Sequence, residues 1–262
     1  MKQNKSSRST VLLFLLGAAL IVAALIMLVP DLLNYKQSND TYEALKENYI
    51  SEKAENTEVA EETEGDDSWW YTDVDVKLEE LQQVNADIIG WIRFDNLEQL
   101  SYPVLYSGDD EKYLRTDIYG NQTIAGCIFM DHGCKKDFSD PNTIIYGHNM
   151  RNLSMFGKLK QFRDQAVFDS DAYFWVYTPE KIYKYEIFSC QEVGATSETY
   201  QLQFSDKKKF QEYIDSCFER SVLKRDIEVT SDDKIVTLST CTGNSETRFL
   251  VQGKLIETYK AV

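Results

Sequence analysis

A cysteine nucleophile needs a neighbour that takes its proton, and this chain offers only two candidates, His132 and His148, beside five cysteines. The cysteines are Cys127, Cys134, Cys190, Cys217 and Cys241, an odd number without a CxxC pair. Neither a disulfide framework nor a zinc knuckle is indicated, and no metal site or cofactor is expected. Cys241 stands apart because it ends the β-type run Lys234–Thr240 and is followed by the polar turn Thr242-Gly-Asn-Ser-Glu-Thr, whereas Cys127 and Cys217 sit inside apolar patterns that read as core. His148 follows the run Thr143-Ile-Ile-Tyr-Gly, at a strand end where a scaffold presents side chains to a loop-lined site. His132, in Met130-Asp-His-Gly-Cys with Lys135 and Lys136 close behind, reads with Cys134 as part of a solvent-facing loop.

Arg248 opens the run that follows the turn after Cys241. Two paired strands joined by that turn would bring the two side chains to one sheet face. A cation there favours the thiolate, and it can donate to the oxygen that becomes negative when a thiolate attacks a carbonyl, aided by a backbone N–H such as that of Thr242.

The elements that must position these residues are mostly β. Short β-rich runs occupy Trp91–Phe94, Tyr102–Tyr106, Ala125–Met130, Thr143–Tyr146, Tyr173–Tyr177, Ile182–Phe188, Lys234–Thr240 and Arg248–Ile256. Thr178-Pro-Glu-Lys181 is a hairpin turn. Helical insertions are expected near Ser154–Phe162 and over Asp206–Val222, where Phe210, Ile214, Cys217 and Ser221 share one face. A further helix is expected over Asp75–Asn85, capped by Asp73 or Asp75, with Leu78, Leu81, Val84 and Ile88 as its buried stripe.

The N-terminus sets the location. Val11 to Pro30 carries no charge, and its twenty residues at a helical rise of ~1.5 Å span ~30 Å, a bilayer's hydrocarbon thickness. Lys2, Lys5 and Arg8 precede it without an acid, so the basic end should stay in the cytoplasm. The run is too long for a signal-peptide core, and Leu-Val-Pro-Asp does not match a cleavage site. The expected organisation is a cytoplasmic tail (1–10), a transmembrane anchor (11–30), an extracytoplasmic acidic linker with a weak helical pattern at Tyr42–Tyr49 (31–73) and a catalytic domain (74–262). Glu55 to Asp67 holds seven acidic residues and no basic one, and reads as a self-repelling spacer. A formal charge of −15, from 43 acidic and 28 basic residues, excludes a nucleic-acid partner, which would require a basic face.

With these residues in view, the chain resembles the sortase family. Thr237-Leu-Ser-Thr-Cys241 followed by an arginine at the start of the last strand resembles the sortase active-site signature, and its serine-containing form is similar to class B. Asn142-Thr-Ile-Ile-Tyr-Gly-His148, Gly126-Cys-Ile-Phe-Met-Asp and Met155-Phe-Gly-Lys-Leu fit the same class. The resemblance runs from about Val74 to the C-terminus. It implies a closed eight-stranded sortase-type β-barrel with N-terminal helices and a helix inserted before the cysteine strand. It also implies a cysteine transpeptidase: Cys241 attacks a Thr–Gly or Thr–Asn bond in the C-terminal sorting signal of a secreted protein, His148 protonates the leaving amine, and an amine of peptidoglycan resolves the thioacyl-enzyme. Ser239 and Thr242 are implied as substrate contacts. A class B-like pilin polymerase, using a pilin lysine as the amine, is the alternative.

Overall fold

A computed structural model describes residues 5–52, 74–95, 97, 100–170, 172–223 and 225–261. The acidic run Glu55–Asp67 and Asp73 lie outside these residues. The chain opens with one long helix, α1 (Lys5–Tyr49), whose apolar stretch is bare on every side, with Leu12, Phe14 and Met27 all strongly exposed. That surface is compatible with a single-pass membrane anchor, because it would otherwise leave a large apolar area in water.

The helix does not stop where the charge-free run ends. It continues past Pro30, and its last turns dock on the body of the protein, burying Ser38, Tyr42 and Leu45. A short ladder, β1 (Ile50–Glu52) with β2 (Val74–Val76), follows, then α2 (Leu78–Val84). Within the stretch expected as a linker from residue 31, Leu32 and Leu33 are exposed, but the helix is packed on the body from Ser38 onward, because Tyr42 and Leu45, three residues apart on one helix face, have an apolar surface to cover. The expected helix over Asp75–Asn85 is also shorter. Asp75 is in β2, Ile88 is in the following strand, and only Leu78 and Leu81 form the fully buried part of its stripe.

Eight strands then close into a barrel in the order β10-β8-β7-β3-β4-β5-β6-β9. They are β3 (Ile88–Phe94), β4 (Ser101–Leu105), β5 (Ile128–Met130), β6 (Asn142–Tyr146), β7 (Tyr173–Tyr177), β8 (Lys181–Gly194), β9 (Ile235–Cys241) and β10 (Thr247–Lys260). The β4–β5 and β6–β9 pairs are parallel and the rest antiparallel. Closure removes exposed sheet edges and buries both faces of these strands: Phe94, Phe174 and Tyr185 stack on one face, while Trp91 and Trp175 are buried on the other. Each such ring contributes on the order of 1.5–3 kcal/mol relative to exposure. The β7–β8 hairpin turns at Thr178–Lys181, where Thr178 N donates to Lys181 O at 2.8 Å.

Among the described residues, three helices decorate the barrel: α3 (Lys112–Arg115) between β4 and β5, α4 (Gln165–Ser170) before β7, and α5 (Lys207–Arg220) between β8 and β9. Asp206 caps α5 by accepting from Lys209 N. Its face of Phe210, Ile214 and Cys217 packs on Phe188 and Ile235 as a second core, and Ser221 just beyond it accepts from Cys190 N. The expected helix at Ser154–Phe162 is a 3₁₀ segment, Phe156–Arg163.

Candidate active site

The parallel pairing of β6 with β9 builds the site. Tyr146 is the register partner of Ser239, and Gly147 N extends the ladder by donating to Ser239 O at 3.1 Å. His148 and Cys241 each lie two residues further along these parallel strands, at the same end of the barrel. On the other side of β9, Cys241 is the direct register partner of Arg248 in β10, so their side chains share one sheet face. Gly243 turns the hairpin between them with φ +104°, a conformation that favours glycine.

His148, Cys241 and Arg248 line one cavity of about 390 Å³, together with Ser239, Tyr200 and Leu114. All three are half-buried. His148 Nε2 donates to the Leu114 carbonyl at 2.8 Å, which makes Nε2 the protonated nitrogen and leaves Nδ1 as the base. Burial holds its pKa below the ordinary 6.5, the bond to Leu114 opposes this, and the charge of Arg115 adds to the depression. The imidazole is thus neutral at pH 7, ready to accept a proton. Arg248 donates from one nitrogen to Ser245 O at 2.7 Å and to Thr247 O at 3.0 Å, so the guanidinium is tied to its own turn and held at the cavity wall.

Ser239, facing the same way as Cys241, shares a 2.8 Å hydrogen bond with the Tyr200 hydroxyl. Tyr200 in turn stacks on Tyr146 at 6.2 Å. Thr240, buried beside them, has no hydrogen-bond partner for its hydroxyl among the described residues. Thr242 differs from the sequence expectation. It does not line the cavity; its hydroxyl is paired with that of Thr247, and its N–H points to Thr247 O at 3.4 Å.

Sequence reasoning missed Tyr200, Tyr146, Leu114 and Asp110, all of them cavity-lining. Only Tyr200 carried a local signal, as one of two aromatics, with Phe204, in the mostly polar stretch before α5. The expectation for the 131–136 loop holds in half. His132 is exposed, its Nδ1 donating to Asp110 at 2.6 Å, and this bond raises its pKa. Cys134, however, is buried, with its sulfur accepting from Ile144 N and its thiol pushed up to about 12 by desolvation. The tight turn after Asp131 rolls the chain back onto β6, a tertiary effect absent from the local polarity.

Comparison with known proteins agrees with this architecture. The family described as "Sortase domain" matches residues 93–256. Sortase B of Listeria monocytogenes is 33% identical over 183 residues, spanning 69% of this chain and 74% of its own length. Sortase B of Staphylococcus aureus is 30% identical over 184 residues, 69% of this chain and 75% of its own. Among solved structures, sortase B from Bacillus anthracis in complex with AAEK1 superposes with a TM-score of 0.71 at 30% identity, covering 86% of this chain and 99% of that one. A Staphylococcus aureus sortase B–substrate complex gives 0.66 at 29% identity, covering 69% and 85%. The chain therefore belongs to the sortase family as a class B sortase, and is a cysteine transpeptidase.

Proposed function

We propose that this transpeptidase, held in the cell membrane by α1 with its N-terminus cytoplasmic, cleaves the C-terminal sorting signal of secreted proteins at a Thr–Gly or Thr–Asn bond and joins them to a peptidoglycan amine. The observation that carries the reading is the shared cavity of His148, Cys241 and Arg248, with the Cys241 strand lying between the strands that lead to its two partners. His148, neutral at pH 7, takes the thiol proton through Nδ1 as the Cys241 sulfur attacks the threonine carbonyl. The resulting oxyanion is met by the Arg248 guanidinium. His148, now protonated, passes its proton to the leaving amine, the C–N bond breaks, and a thioacyl-enzyme remains. An incoming amine repeats these steps in reverse order: it attacks the thioester carbonyl and loses a proton to His148, the C–S bond breaks as the new amide forms, and the departing Cys241 sulfur takes that proton from His148.

Ser239 and Tyr200 form the wall against which the sorting signal lies, with Thr242 outside it. The named relatives support the chemistry: one solved neighbour is a sortase B–substrate complex. The test is to incubate the full chain in detergent with LPxTG-like and NPxTN-like peptides plus amines that mimic peptidoglycan stems or a pilin lysine, reading products by mass spectrometry. Amide products from the wild type and none from Cys241→Ala are expected. Hydrolysis alone in the presence of every amine overturns the transfer reading, and preference for the lysine peptide replaces wall anchoring by pilus assembly.

A further inference from the structure

Tyr42 lies near the end of α1, outside the matched domain of residues 93–256, yet it connects to His148 along two routes. Its side chain is buried, and its hydroxyl donates to the Gly126 carbonyl at 2.6 Å. Gly126 has φ +55° and is pressed against the α3 segment so closely that an added Cβ would stand 2.3 Å from the Tyr113 carbonyl oxygen and 2.9 Å from that of Leu114. The Leu114 carbonyl is the acceptor for His148 Nε2. The first route therefore runs from Tyr42 through Gly126 to the group that fixes the imidazole's tautomer.

The second route uses the ring. Tyr42 meets Tyr102 edge to face, with centroids 5.3 Å apart and planes at 83°. The Tyr102 hydroxyl accepts from Met155 N at 2.9 Å in a buried position. Met155, at φ +54°, bridges back to Asn149, and Phe156 N donates to His148 O at 3.0 Å, closing the loop that carries the histidine. One turn earlier on α1, Asn39 accepts from Asn152 of the same loop at 3.1 Å.

We propose that Tyr42 is a positioning residue for His148: its hydroxyl holds the segment that supplies the imidazole's acceptor and its ring braces the 148–155 loop, so that α1 completes the active site. This rests on the reading of His148 as the proton carrier. The helix that leaves the apolar N-terminal stretch thus ends as a support of the catalytic apparatus, and a barrel without it has a looser histidine. Small displacements of an acid–base group cost rate without weakening substrate binding, because binding is made by other walls of the cavity.

The test uses the full chain in detergent micelles, with Tyr42→Phe, Tyr42→Leu and Leu45→Ala. Tyr42→Phe keeps the ring contact and loses the hydroxyl; kcat should fall about fivefold with KM unchanged. Tyr42→Leu loses both routes and should fall by about 10². Leu45→Ala loosens the docking of α1 without removing either link, and serves as the control for stability. Because the chain has two histidines, ring resonances of His148 and His132 can be followed separately by histidine-selective NMR. The His148 signal and its titration should move in Tyr42→Phe while those of His132 stay in place. The proposal is overturned if His148 and kcat are unchanged in Tyr42→Phe, or if Leu45→Ala with the same loss of melting temperature reproduces both effects. The NMR comparison needs no substrate, so a wild type that processes no sorting peptide would refute the proposed function and still leave the positioning claim decided.

Discussion

His148 and Cys241 occupy equivalent places on two parallel neighbours, each two residues beyond the register pair Tyr146–Ser239. Parallel pairing is what allows this. Both strands run to the same end of the barrel, so two side chains contributed by segments 93 residues apart in number meet there without either having to fold back. Arg248 reaches the same end through the antiparallel hairpin after Cys241.

Cys241 should be the only thiol that reacts in the native protein. It is half-buried at the cavity, whereas the other four are buried, with desolvation pushing Cys127 and Cys134 up to about 12 and raising Cys190 and Cys217 as well. Iodoacetamide labelling followed by peptide mass spectrometry should find one modified cysteine at neutral pH and several after denaturation. Native labelling of Cys134 at a comparable rate would contradict the burial described for its loop.

Arg248 donates from a single guanidinium nitrogen to two carbonyls of its own turn, and the rest of the planar guanidinium stands at the cavity wall. A lysine supplies one compact charge and cannot keep both bonds while facing the cavity. Arg248→Lys and Arg248→Ala should both lower kcat/KM by about 10²–10³, with the circular dichroism spectrum unchanged. Full activity in the lysine variant would show that charge alone suffices.

The hydroxyls of Ser239 and Tyr200 should act as one unit. Removing either leaves the other without its 2.8 Å partner, a loss of about 0.5–1.5 kcal/mol. Ser239→Ala and Tyr200→Phe should each raise KM for a sorting peptide several-fold, and the double variant should be no more impaired than the more impaired single one. Independent, multiplying effects in this cycle would mean that the pair does not shape the substrate wall.

The two histidines should titrate on opposite sides of 6.5. His148 is lowered by burial, and His132 is raised by its bond to Asp110. For His148 the unfolded chain binds the proton more tightly than the fold, so its contribution to stability is present above pH 6.5 and lost as pH falls through the lowered native value. His132 has the reverse sign: its contribution is full below pH 6.5 and lost as pH rises through the raised value. NMR titration of the ring protons checks both directions, and a His148 midpoint above 6.5 would be incompatible with a desolvated imidazole.

Much of the barrel was legible because its strands carry their own marks. The aromatic and β-branched runs at Tyr173–Tyr177 and Lys234–Thr240, the Thr178–Lys181 turn and the Asp206 cap of α5 are local features, each visible in a few consecutive residues. The length of β8, which runs on to Gly194, was not visible, since the polar residues Ser189, Gln191 and Glu192 interrupt the apolar run beyond Phe188. Nor was the true extent of α1: whether Tyr42 and Leu45 belong to a spacer or to a core depends on a surface built by residues more than fifty positions later.

Cys241, His148 and Arg248 could be singled out from the chain alone because the choice was narrow: two histidines, one cysteine at a strand end, and one arginine after its turn. The rest of the site had no such economy. Tyr200 meets Ser239 across thirty-nine positions, Leu114 offers its carbonyl to His148 across thirty-four, and the Thr242 hydroxyl pairs with that of Thr247 across the hairpin. Those relationships come from strand register and loop packing, and their free energy is shared among many distant contacts. Residue type restricts which chemistry is available, while only the closed barrel decides which groups meet to carry it out.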